Sequence, residues 1–279
     1  MKKFKIVWLL ILVGMLAASL SAQSLLKRTT VKTDKFDFAM GGTVAIMGAP
    51  MGSIRVTGSN SAEIEITATI ELQAASEADL ARLEQVTGFL TDETLGRTGI
   101  ISFGTHNKLG DKKLWKKFPK TLLGLPFRID YVVTVPHFCD LEIDGGKGDL
   151  FISGVDGSVQ VHFLETHADI EAGYAATQII VGSGSVDVVL GPKGWRGRAA
   201  NIQVANGDMN VRLPSNLAAE IDATILRSGS IENTFPDLKP RNRKVPFTDK
   251  SIIAKAGVGG PSLLFTVGDG KLKIERFTL

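Results

Sequence analysis

A six-residue phrase recurs along this chain: a turn residue, Gly, then Ser, Asp or Lys, then apolar, any residue, apolar. Copies run from Met51 to Val56 (MGSIRV), Lys147 to Ile152 (KGDLFI), Asp156 to Val161 (DGSVQV), Ser183 to Val188 (SGSVDV), Asn206 to Val211 (NGDMNV) and Asp269 to Ile274 (DGKLKI). Ser228 to Asn233 (SGSIEN) is a degraded copy. A repeat constrains architecture before any single residue does. From Gly184 the glycines fall 23, 22 and 41 residues apart, the last close to twice the period. Unmarked apolar–x–apolar stretches lie between them, such as Gln178-Ile179-Ile180-Val181 and Asn201-Ile202-Gln203-Val204. Each unit of about 22 residues therefore holds two short strands and two turns. A unit that small cannot bury its own apolar face and must stack on neighbours. The expected fold is all-β, a short-strand β-solenoid resembling a β-helix. The alternative is a β-sandwich, with Asn206-Gly207 and Asp156-Gly157 closing isolated hairpins.

Residues 1–23 stand apart. Lys2, Lys3 and Lys5 precede an apolar run from Ile6 to Leu16, and small residues follow. This reads as a secretory signal peptide, too short in its apolar run for an ordinary membrane span. An uncleaved anchor is the alternative. Removing its three Lys from the 32 Lys and Arg leaves 29, equal to the 29 Asp and Glu. The basic balance belongs to the leader, and a nucleic-acid partner is not expected. The single Cys139 excludes an intrachain disulfide framework. Between Phe138 and Leu141-Glu142-Ile143 it reads as a buried structural thiol. The expected location is exported, in the periplasm or at the cell surface.

Residues 24–40 read as a tether, and 41–279 as one β domain with an insertion at about 74–127. Period-two alternation marks strands at Ile64, Ile66, Ala68, Ile70 and Leu72, and again over 127–135. A helix starts in the insertion, with Ser76 as N-cap, Leu80 and Leu83 as its apolar stripe and Gly88 as its stop. A basic loop follows, over about 105–126.

That loop carries the strongest functional signal. Residues 105–128 hold seven Lys/Arg against one Asp, and residues 239–255 hold six against one. Lys112, Lys113, Trp115, Lys116, Lys117 and Phe118 interleave charge with aromatic rings, which suits an anionic membrane surface, an anionic envelope polymer or an acidic envelope protein. A solvated loop is the plainer reading. Other signals are weaker. Gly145-Gly146-Lys147-Gly148-Asp149 misses the calcium-binding nonapeptide by one position. The residues after the corner glycines, Ser53, Asp149, Ser158, Ser185, Asp208, Ser230 and Lys271, would form a polar column suited to a glycan or to turn hydrogen bonds. His106, His137, His162 and His167 show no metal-ligand spacing, and no catalytic motif appears. No metal, cofactor or catalytic residue is expected.

The stretch from Gly52 to Gly58, then Ala62 to Ile66, Val133 to Pro136, Leu141 to Ile143, the Gly-Asp and Gly-Ser turns after Gly148, and Leu272 to Ile274 together resemble a bacterial β-strand-repeat family of unknown function known as "putative adhesin", with adhesin head-like domains. The resemblance spans most of residues 41–279 and implies an exported repetitive β domain with no active site to carry over. The expected function is a non-catalytic, adhesin-like module that binds or scaffolds envelope polymer. A protein-binding regulator of envelope-stress sensing and a carbohydrate-active enzyme on a β-helix are the alternatives.

Overall fold

The computed structural model describes residues 25–39 and 41–278. The expected leader lies outside the described residues. The expected tether does not hold: its residues form β1 (Leu26–Asp37), paired antiparallel over its whole length with β4 (Glu63–Ala74). No residue of β1 is buried. It therefore shows no apolar alternation, and its polar sequence resembles a linker. Cross-strand charge holds it beside the ladder bonds. Lys27 meets Glu71 at 2.5 Å, and Lys35 meets Glu63 at 2.7 Å and Glu65 at 2.9 Å. Arg28 reaches Glu77 and Glu84 on the following helix at 2.6 and 2.7 Å.

The bonds from Lys35 and Lys27 hold the carboxyls of Glu63 and Glu71 below the usual carboxylate range. A depressed carboxyl stabilises the paired strand above its unfolded pKa, and that contribution disappears as pH falls through the folded value. Amide exchange in β1, corrected for intrinsic rates, is expected to accelerate relative to the inner strands as pH drops from about 5 to about 3. Protection of β1 that keeps pace with the inner strands would refute this.

Among the described residues, seventeen strands make one hydrogen-bonded sheet in which two ladders can be followed. The first takes β5 (Gly88–Thr94), β6 (Arg97–Phe103), β2 (Thr43–Met47), β8 (Asp140–Lys147), β10 (Val159–Ala172), β11 (Ala176–Leu190), β12 (Ala199–Pro214), β17 (Ser262–Phe277), β13 (Ala219–Ile225), β16 (Ser251–Ala256) and β15 (Lys239–Pro240). The second takes β1, β4, β7 (Phe127–Pro136), β3 (Ile54–Ser59) and β9 (Leu150–Ser153). It then continues through the same β10, β11, β12 and β17 to β14 (Gly229–Asn233). Inner pairings are parallel; antiparallel strands close both ends of the first ladder and the β1 end of the second, whose other end, β14, is paired parallel.

Between the ladders lies a core of in-register rows. Ile100, Ile46, Ile143, Val161, Ile179, Ile202, Phe265, Ala223 and Ile252 follow one another across the first ladder, all buried. Val133, Val56, Ile152, Ile170, Val188, Val211 and Ile274 do the same across the second. Each buried aliphatic of this size contributes about 1.5–3 kcal/mol. Two neighbouring expected strands often prove to be one, as in β11 and β12, because parallel stacking lets pairing continue through the glycine corner.

Gly52, Gly148, Gly184, Gly207, Gly270 and Gly229 line that corner, all with φ between +121° and +149°. At Gly207 (φ +133°) a Cβ would sit 1.8 Å from the carbonyl oxygen of Gly184 on the adjacent strand. Only glycine permits both the left-handed backbone and that approach. The Asp156–Gly157 copy belongs elsewhere. Val159 pairs with Leu141 and Thr177, and a Cβ on Gly157 would meet the Cys139 carbonyl. In the corner column the place between Gly148 and Gly184 falls to Thr166, which lies opposite Gly184.

Two further expectations are corrected. Neighbours in sequence are not always neighbours in the stack: β17 lies between β12 and β13, and β2 lies between β6 and β8. The segment at 74–127 is not only an insertion, since β6 within it pairs with β2 and buries Ile100. Its helix, α1 (Glu77–Gln85), starts as expected. Ser76 Oγ accepts from the Asp79 N–H at 3.2 Å, and Leu80 and Leu83 are buried. It ends before Gly88, which opens β5.

Candidate functional site

The basic loop is more ordered than its composition indicates. Asp111 caps α2 (Lys112–Lys116), its Oδ1 accepting from the Lys113 N–H at 2.8 Å, and a 3-10 turn follows over Lys120–Leu122. Trp115 Nε1–H donates to the Leu109 carbonyl at 2.8 Å, and the Trp115 and Phe118 rings lie 5.1 Å apart. Phe118 packs against the core. Both rings are half-buried, so they brace the loop as well as flank its charge. Lys112, Lys113, Lys116 and Lys117 are exposed, and among the described residues none lies within ion-pair distance of a carboxylate. Leu109 and Leu114 are exposed beside them.

The second basic block does not join the first. The loop leaves β6 at one end of the first ladder, whereas residues 239–255 span β15, the segment after it and most of β16 at the other. Seven strand-to-strand steps separate β6 from β13, roughly 34 Å at about 4.8 Å each. Part of the second block is already partnered. Arg241 pairs with Asp222 at 2.7 Å, and Lys250 Nζ donates to the Arg227 carbonyl at 2.9 Å.

The polar column beside the corner glycines is real but differs from the expected one in membership. In ladder order it runs Asp130, Ser53, Asp149, His167, Ser185, Asp208, Lys271 and Ser230, with His167 where Ser158 was expected. Much of it is turn chemistry. Ser53 N–H and Oγ–H both donate to Asp130 Oδ1 at 2.6 Å, and Lys271 N–H donates to Asp208 Oδ1 at 2.8 Å. Sequence reasoning missed His167 because the Asp156 copy set the wrong phase.

Burial pushes the Cys139 thiol up to about 12, with Asp140 adding to it, which matches an inert structural role. His106 packs on Phe127, with ring centroids 5.4 Å apart, and burial lowers its pKa. His162 contacts Asp144 at 3.1 Å on the surface. Among the described residues no group of three His, Cys, Asp or Glu side chains is placed to hold a metal ion. The double-glycine turn is close packing: a Cβ on Gly146 would lie 2.2 Å from the Pro50 carbonyl.

No protein family and no curated protein matches this chain by sequence. Solved structures do match. A "putative cell adhesion protein" from Clostridium sporogenes superposes with a TM-score of 0.50 at 10% identity, over 90% of this chain and 100% of its own. A "putative adhesin" from Bacteroides fragilis (TM-score 0.32, 9% identity, 89% of this chain and 97% of its own) and another from Parabacteroides merdae (TM-score 0.28, 11% identity, 89% and 96%) are more distant. The first of these supports a shared all-β fold.

Proposed function

We propose that this chain is an exported, non-catalytic, adhesin-like protein, a short β-solenoid whose end loop docks on an anionic envelope surface. The in-register aliphatic rows and the corner shared by successive parallel strands support the solenoid reading. The exported location rests on the leader and the fold likeness to a bacterial cell adhesion protein. The observation that carries the docking reading is the unneutralised set Lys112, Lys113, Lys116 and Lys117, held on a braced loop at one end of the stack. A charge cluster of this kind attracts polyanions and anionic lipid headgroups over a Debye length.

Each such lysine contributes about 1 kcal/mol near an anionic surface. Replacing all four by Ser is therefore expected to weaken retention on envelope fractions and on anionic lipid vesicles roughly a hundredfold or more. Retention of the unsubstituted protein should fall as ionic strength rises from about 0.01 to about 1 M, which shortens the screening length from about 30 to about 3 Å. Retention unchanged by both treatments would remove the loop from the function.

A further inference from the structure

The corner carries a second surface, chemically unlike the basic loop. Its column Asp149, His167, Ser185, Asp208, Lys271 and Ser230 crosses five strand-to-strand steps, roughly 24 Å at about 4.8 Å each. Two concavities adjoin along it. One, of about 400 Å³, is lined by Gly148, Asp149, Glu165, Thr166, His167 and Ser183. The other, of about 340 Å³, is lined by Ser185, Asp208, Ser230, Glu232, Lys271 and Lys273, among others.

In the first, Thr166 occupies the place that Gly148 and Gly184 hold on the rungs to either side. Pairing of β10 with β8 runs from Val159 to Glu165 and resumes with β9 only at Ala168. Thr166 and His167 are left facing Gly148 and Asp149 across a notch. Thr166 lines that notch, is 3% exposed, and its Oγ1 is buried with no hydrogen-bond partner. A buried hydroxyl without a partner costs about 1–3 kcal/mol, which a ligand hydroxyl placed in the notch would recover. Farther along, Asn210 lines the second concavity, and its Oδ1 is likewise buried and unpartnered.

The charges select the ligand class. Asp149, Glu165, Asp187, Asp208 and Glu232 line the two concavities, so a polyanion does not match, while Lys271 and Lys273 interrupt the acidic run that a polycation would need. Ser185 Oγ meets His167 Nδ1 at 2.8 Å, which leaves the outer His167 nitrogen without a partner among the described residues. Acceptors and donors that alternate at strand spacing suit groups that both donate and accept, which sugar hydroxyls do. We propose that this corner binds a linear, neutral oligosaccharide laid along the stack, with one hydroxyl seated on Thr166. The site is separate from the lysine loop and acts without it.

Titration calorimetry with cellohexaose, chitohexaose and, as the anionic comparison, a hexamer of galacturonic acid tests this. At least one neutral hexamer should bind. The double substitution His167→Ala with Asp208→Ala, both exposed positions, should weaken it about tenfold or more. Thr166→Val keeps the side-chain shape and should weaken it several-fold while leaving the melting temperature unchanged or higher. The four-lysine-to-Ser variant should bind the same hexamer unchanged, which separates failure of this site from failure of the docking loop. No binding by either neutral hexamer, binding by the anionic hexamer alone, or binding indifferent to the corner substitutions would each overturn the proposal.

Discussion

Gly207→Ala is expected to cost about 4 kcal/mol or more of unfolding free energy and to lower the melting temperature by roughly 10 °C. Two effects add. The backbone at φ +133° lies in a region that L side chains rarely adopt. The new methyl would also stand 1.8 Å from the Gly184 carbonyl oxygen and 2.8 Å from its carbon, both parts of a backbone fixed by pairing on each side. Relief requires β11 and β12 to separate at the corner, which breaks ladder bonds in the middle of the stack. Gly96→Ala gives a positive-φ cost without the clash, although its backbone is nearer the left-handed α region than that of Gly207. Gly96 also has positive φ (+75°), but a Cβ there meets nothing within 4 Å. Its cost should be about 1 kcal/mol, and its shift in melting temperature about 3 °C. Equal shifts for the two variants would show that close stacking at the corner is not what glycine provides.

Loss of β17 is expected to be the more destructive change. It is the last strand in sequence among the described residues, yet it pairs with β12 on one side and with β13 and β14 on the other. A chain ending at Gly260 therefore leaves β12 with a bare edge, and β14 without its ladder partner. It also opens the core at Phe265, whose ring is fully buried between Ile202 and Ala223. Hydrogen exchange should show the protection of β13, β14 and β16 lost together, whereas β3, β7 and β9 at the far end keep theirs. Repeat stacks lose stability locally in this manner because each rung contacts only its neighbours. A point substitution gives a graded version: Phe265→Ala should cost about 3–5 kcal/mol. Full protection of β13 and β14 in the shortened chain would mean that they close directly on β12, as their order in sequence would have placed them.

Some of this architecture is legible residue by residue. The apolar pairs after Gly52, Gly148, Gly184 and Gly207 (Ile54/Val56, Leu150/Ile152, Val186/Val188, Met209/Val211) announce buried rows, and Ser76 with Leu80 and Leu83 announces the helix. These signals are local: a corner needs a residue without Cβ, a buried face needs alternate apolar residues, and a helix start needs a cap. β1 is illegible for the converse reason. Its stabilising partners Glu63, Glu65 and Glu71 lie on another strand, and nothing in its own pattern points to them. The lysine loop was legible as charge, while the role of Trp115 as a brace depended on the Leu109 carbonyl it reaches.

By itself the sequence determined an all-β chain with glycine corners, aliphatic rows and a basic loop held apart from the acidic remainder. Only the tertiary structure decided which rung lies beside which: β17 between β12 and β13, β2 between β6 and β8, and Thr166 in a glycine's place. The physical reason is degeneracy. Rungs edged by near-identical Ile, Val and Leu residues offer almost equivalent parallel partners, so the choice among them rests on long-range closure and on the antiparallel strands that cap both ends of the first ladder and the β1 end of the second.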